Sequence, residues 1–183
     1  LLKILLLLSL AGATVTDIDG NVYETVLIGE QLWMAENLKV THYNNGDEIP
    51  NITNDGGWGN LSTGAYSDYD NNPSNSETYG KLYNWHTVDD DRDVCPEGWH
   101  IPTDEEFKEL EIFLGMNETE ANSTGWRGSN EGGKLKEEGF VYWDSPNFGA
   151  TNISLFSIRG CGVALVTRWC VIGESLHVAC TPP

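Results

Sequence analysis

From Val15 to Trp33 apolar and polar residues alternate around two turn signals, Asp19-Gly20-Asn21 and Gly29-Glu30-Gln31. A period of two sends successive side chains to opposite faces, so this stretch predicts a small meander of short antiparallel strands. At Tyr79 to Val88 the step lengthens: Leu82, Trp85 and Val88 recur every three residues beside Tyr79 and Tyr83, which predicts a helix with an apolar, aromatic face. A second helix is predicted over Thr103 to Leu114. Thr103 opens a capping box, Asp104, Glu105 and Glu106 put negative charge at the positive end of the helix dipole, and Phe107, Leu110, Phe113 and Leu114 supply a buried stripe before Gly115 stops it.

Between these segments the chain is polar. Asn44 to Ser76 is a long loop rich in Asn, Gly, Asp, Ser and Thr, with Trp58, Tyr66 and Tyr69 scattered through it, and Asn117 to Gly133 is a second loop. Lys134-Leu135-Lys136 predicts the start of a short strand, and Tyr142 to Asn152 is rich in turns around Pro146. Loops of this length tend to carry function or define a fold.

The start is of another kind. Leu1 to Leu10 is almost wholly apolar and is followed by Ala11-Gly12-Ala13, which reads as a signal peptide over residues 1–13, lacking its initiator methionine and cleaved before Thr14. The apolar run is too short for a bilayer core of roughly 30 Å, so no transmembrane span is expected. Export places the mature chain outside the cell or on its surface. No cysteine stands at the cleavage point, so a lipid anchor is not indicated, although a leader left uncleaved could still tether the chain, and the missing methionine points to a fragment or shifted reading of a longer gene.

The formal net charge of -18 argues against nucleic acid or an anionic membrane as a partner. Acidic residues stop abruptly, however: Arg159 to Pro183 holds one, Glu174, together with Cys161, Cys170 and Cys180, three of the four cysteines. Residues 14–158 are therefore expected to form the single domain. Residues 159–183 read as an atypical tail, out of frame with it.

The densest signature is Cys95-Pro96-Glu97-Gly98-Trp99-His100-Ile101-Pro102-Thr103-Asp104, where two prolines forbid regular helix and Gly98 allows a conformation that other residues resist. It stands in order with Thr16 to Tyr23, Trp33-Met34-Ala35-Glu36-Asn37-Leu38, Tyr79-Gly80-Lys81-Leu82-Tyr83-Asn84-Trp85, Gly132 to Lys136 and Ser145 to Asn152. Together these blocks resemble the successive motifs of the Fibrobacter succinogenes major paralogous domain family, over about Val15 to Phe156. The resemblance implies an exported bacterial protein without established activity. It also implies an α+β fold of the C-type lectin-like group, with small antiparallel sheets, two helices and long loops. It implies too that Trp33, Trp85 and Trp99 are core residues. The family pattern closes with Trp-Ser-Ser blocks and a final strand bearing a cysteine, and Arg159 onward bears no likeness to it. The fold is therefore expected to be incomplete at its C-terminus, with Cys95 unpaired.

Few residues suggest chemistry. No nucleophile motif, phosphate loop or zinc spacing occurs, and His42, His86, His100 and His177 are isolated from one another. His100, inside the signature, is expected to make a structural hydrogen bond. Formylglycine-generating oxidases share the broader fold and use a cysteine pair, so Cys95 makes an enzyme of that kind an alternative, as is a purely structural domain of a larger surface protein. Asp68, Asp70 and Asn72, before Asn75 and Glu77, offer oxygens of the kind calcium takes, but Pro73 replaces the EF-hand glycine, and an Asx-rich turn is the simpler reading. Asp89 to Asp93 reads as an exposed turn. The sequons at Asn51, Asn60, Asn117, Asn122 and Asn152 reflect Asn- and Thr-rich loops. Trp126, Trp143, Asp144 and Asn147 are the ligand-binding candidates, because a sugar needs an aromatic face to stack on and oxygens to accept its hydroxyls. The expectation is a non-enzymatic surface or secreted module for carbohydrate or another surface polymer.

Overall fold

The structure is a computed structural model that describes residues 13–125, 127–159, 171–172 and 175–182. The leader before Ala13, Trp126, residues 160–170 with Cys161 and Cys170, Gly173, Glu174 and Pro183 lie outside the described residues.

The predicted meander forms as β1 (Thr14–Thr16), β2 (Val22–Ile28) and β3 (Gln31–Met34), antiparallel in that order. Alternation along β2 buries Tyr23, Thr25 and Ile28 and exposes Val22, Glu24 and Leu27. Asp17 fixes the first turn: its carboxylate accepts from the N–H groups of Asp19 and Asn21 at 3.0 and 2.9 Å and from the Tyr23 hydroxyl at 2.6 Å. Burial and this neighbouring carboxylate drive the Tyr23 phenol far above its ordinary pKa.

The long polar region contains a single turn, α1 (Asp55–Trp58), then β4 (Tyr66–Asp68) and two 3-10 turns, Tyr69–Asn71 and Pro73–Asn75. The helix expected over Tyr79 to Val88 is instead three elements: α2 (Ser76–Tyr79), β5 (Lys81–Asn84) and α3 (Trp85–Val88). Gly80 ends the first turn at φ 71°, and a Cβ there would lie 2.6 Å from that of Asn37 and 2.8 Å from the Leu38 carbonyl oxygen, so neither helix nor a larger residue passes through it. Leu82, Tyr83 and Asn84 are all buried because β5 is an inner strand, paired with β4 on one side. A strand covered on both faces loses its alternation and imitates a helical face.

The Cys95 signature leads into α4 (Asp104–Phe113), followed by α5 (Glu118–Ala121) and α6 (Glu131–Leu135). The capping box is present, with Glu106 N–H donating to Thr103 Oγ1 at 3.3 Å and Thr103 N–H to Glu106 at 2.7 Å. Leu110 and Leu114 are buried, but Phe113 is 59% exposed, against expectation. At about 100° per residue Phe113 falls off the stripe, and Glu111 takes its place at the core edge, paired with Arg127 at 2.7 Å. Lys134 and Leu135, expected to begin a strand, finish α6, and Lys136 makes only an isolated bridge to Ile158.

The chain closes with β6 (Val171–Ile172) and β7 (Ser175–His177), giving a second sheet of order β4-β5-β7-β6. The described part of the stretch expected to stand apart as a tail thus pairs with the body of the domain. Val178, Ala179, Cys180 and Thr181 are buried. Their backbone bonds reach three separate segments: Leu38 N–H to Val178 O at 2.7 Å, Met34 N–H to Cys180 O at 3.1 Å, and the mutual pair between His100 and Thr181 at 2.8 and 3.0 Å. Cys95 is not unpaired either, being bonded to Cys180. A stretch as buried as Val178 to Thr181 has little use for the acids that solubilise the loops.

Two core clusters result. Tyr23, Met34, Leu38, Val40, Tyr83 and Val178 belong to the first, around the disulfide, and Ile28, Trp33, Leu110, Leu114 and Leu135 form the second, under α4. The architecture is α+β, with small antiparallel sheets and short helices of which α4 is the longest described.

Candidate functional site

Asn84 switches the chain from strand to helix. Its side-chain oxygen accepts from Thr87 N–H at 3.0 Å and from Ala65 N–H at 3.1 Å, and Thr87 Oγ1 donates to Ala65 O at 3.0 Å, so the start of α3 is locked to the β4 side of the sheet. Trp85 is the first residue past this cap and points outward, 59% exposed, which corrects its expected place in the core. Trp33 is buried as expected, and Trp99 is half-buried against the first cluster.

Opposite Trp85 stands the other side of the signature. Pro102 is buried, and His100 Nε2 lies 2.9 Å from Glu106, the structural hydrogen bond expected of it. Burial alone would raise the Glu106 carboxyl, but hydrogen bonds from Thr103 and His100 outweigh it and hold its pKa below the ordinary value. Between α3 and the start of α4 lies a groove of about 390 Å³. Trp85, Val88, Ile101, Pro102 and Phe107 give it apolar walls, and Asp89, Thr103 and Asp104 give it oxygens. Phe107 also packs edge-on against Trp33, centroids 6.2 Å apart, which ties this wall to the second core cluster. Asp104 is paired with Lys108 at 2.7 Å. Behind α3, Arg92 grips Asp90 through two bonds of 2.8 Å and stacks over Tyr43 at 3.8 Å, and those bonds push the Asp90 carboxyl down to about 2.

The described residues singled out in the sequence lie elsewhere. Trp143, Asp144 and Asn147 share the segment after α6, but two of them serve that segment's own backbone. The Trp143 indole N–H donates to Ile158 O at 3.0 Å, with Lys136 Nζ 4.6 Å over the ring. The Asn147 amide donates to Glu137 O and Gly139 O, both at 2.9 Å. Only Asp144 of the three is exposed, and Trp126 lies outside the described residues. Phe140, Val141, Phe148, Ile153 and Leu155 on the same segment are exposed.

The oxygen-rich loop is turned on itself as well. Asp68 is buried, accepting from Ser76 Oγ and from Lys81 Nζ at 2.8 Å, and Asn72 caps the following turn through Ser74 N–H at 3.1 Å. Among the described residues no group of three or more His, Cys, Asp or Glu side chains is arranged to hold a metal. Cys95, the residue that invited comparison with oxidases, is fully buried and disulfide-bonded.

The model of the Fibrobacter succinogenes major domain matches residues 26–169. The chain belongs to that family. The match runs past Phe156, where the readable motifs give out, and so takes in part of the segment that composition had set apart. No curated protein and no solved structure matches the chain. Family membership thus brings the fold unit and no activity. Among the described residues no helix is long and apolar enough to cross a membrane.

The groove is hidden in the sequence because the family-like block around Trp85 gives that residue the look of a core position. A signal was available in Asn84-Trp85-His86-Thr87, since Asn is a strong N-cap and Thr87 stands where the cap bond falls. A helix starting at Trp85 facing a second one starting after Pro102-Thr103 would have placed a tryptophan at a cleft.

Proposed function

We propose that this family member is an exported, non-enzymatic binding module of the cell exterior, and that it holds carbohydrate in the groove beside Trp85. The observation that carries the reading is an indole 59% exposed at the mouth of an apolar groove whose polar lining consists of Asp89, Thr103 and Asp104. An apolar pocket with a few convergent polar groups is the default place to look for a ligand, and an open aromatic ring at its mouth offers a stacking face. A sugar ring has an apolar C–H face that covers the indole and hydroxyls that donate to carboxylate and threonine oxygens. The lectin-like resemblance and the apolar leader support the same reading.

The test is a glycan array probed with the wild-type chain, with and without calcium, and with Trp85→Ala. Binding that vanishes in Trp85→Ala, with the far-UV circular dichroism unchanged, supports the proposal. Glycan binding indifferent to Trp85, or no glycan bound at all, overturns it.

A further inference from the structure

We infer that the groove selects sugars that carry a free amine, a conclusion that rests on the glycan-binding reading above. Its polar lining is all oxygen: Asp89, Thr103 and Asp104, with no Lys, Arg or His among the described lining residues. Lys108 neutralises Asp104 at 2.7 Å, whereas Asp89 is exposed and makes no ion pair among the described residues. Asp89 therefore sets the charge of the groove.

The position of that charge matters. Trp85 is the first residue of α3 and Asp89 its C-cap, so the two are four residues apart on one turn of helix and face the same side. An ammonium group seated between them meets a ring face and a carboxylate together, two attractions that a neutral hydroxyl does not gain to the same degree. Uronic acids and sulfated sugars carry the same negative sign as Asp89 and are repelled, in a chain whose formal net charge is already -18. A neutral sugar keeps the stacking on Trp85 and forgoes the charge. The exposed indole makes the groove a sugar site, and Asp89 makes it one for amino sugars.

The test uses β-1,4-linked hexamers of glucosamine, N-acetylglucosamine and glucose, which differ in the substituent at C2, titrated calorimetrically into the full chain. The glucosamine hexamer is expected to bind roughly tenfold more tightly than the other two. In Asp89→Asn that preference should vanish, and in Trp85→Phe, which keeps a ring, it should persist. Equal affinity for all three hexamers, with binding still dependent on Trp85, overturns the amine selectivity and leaves the glycan reading standing. No measurable binding of any hexamer overturns both.

Discussion

Cys180 is bonded to Cys95 across 85 residues of sequence, and both cysteines are fully buried within the first core cluster. The link joins the signature segment to the closing one, next to the backbone pair between His100 and Thr181. Closing a loop of this length removes about 4–5 kcal/mol of chain entropy from the unfolded state in the simple loop-closure account. Cys180→Ser should therefore lower the unfolding free energy in urea by about 2–5 kcal/mol. An unchanged midpoint would show that the closing segment is held by its backbone bonds alone.

Along α4 Leu110 and Phe113 should behave differently. Leu110 is fully buried, and Leu110→Ala should cost about 2–5 kcal/mol, the transfer term plus a cavity. Phe113 is 59% exposed and rests on Gly29, where a Cβ would come within 3.0 Å of its ring. Phe113→Ala should cost about 1 kcal/mol or less. Chemical denaturation of both variants checks the order, and a larger loss at Phe113 would contradict the helix orientation.

These residues also show what was legible in the sequence and why. The first meander and the capping box could be read because each depends on neighbours in sequence: alternation about Asp19-Gly20-Asn21, and Thr103 with Glu106. Inner strand β5 and the closing segment could not, because their character comes from partners far away. Tyr83 and Leu82 are buried by strands on either side, and Thr181 by Leu32, whose carbonyl accepts its hydroxyl at 2.6 Å. At the candidate site the same division holds. Trp143 and Asn147 are of the residue types that bind sugars, but they spend their donors on Ile158, Glu137 and Gly139, contacts that no spacing reveals.

Trp85 and Trp33 lie at opposite extremes of exposure, 59% and 1%. Replacing each in turn should give a clear contrast in fluorescence. Loss of Trp85 removes a fraction readily quenched by acrylamide, while loss of Trp33 removes a protected one. Trp85→Ala should leave stability within about 0.5 kcal/mol, whereas Trp33→Ala should cost about 3–5 kcal/mol. A Trp85 that proves shielded from the quencher would close the groove to any ligand.

Asp68 should make the fold sensitive to acid. Burial by itself would raise its carboxyl pKa, but hydrogen bonds from Lys81 and Ser76 and the Lys81 charge outweigh that, so it titrates below its ordinary value. A depressed folded-state pKa contributes stability that is fully present above the unfolded value of about 3.9 and is lost as pH falls through the folded one. Asp19, Glu106 and Glu131 are lowered in the same direction, so Asp68 supplies one part of the acid slope. In Asp68→Asn the neutral amide cannot pair with Lys81, and stability near neutral pH should drop by about 1–3 kcal/mol. The slope of urea midpoint against pH below about 4 should flatten at the same time. A variant as steep as the wild type in that range would show that the Asp68–Lys81 pair does not couple folding to protons.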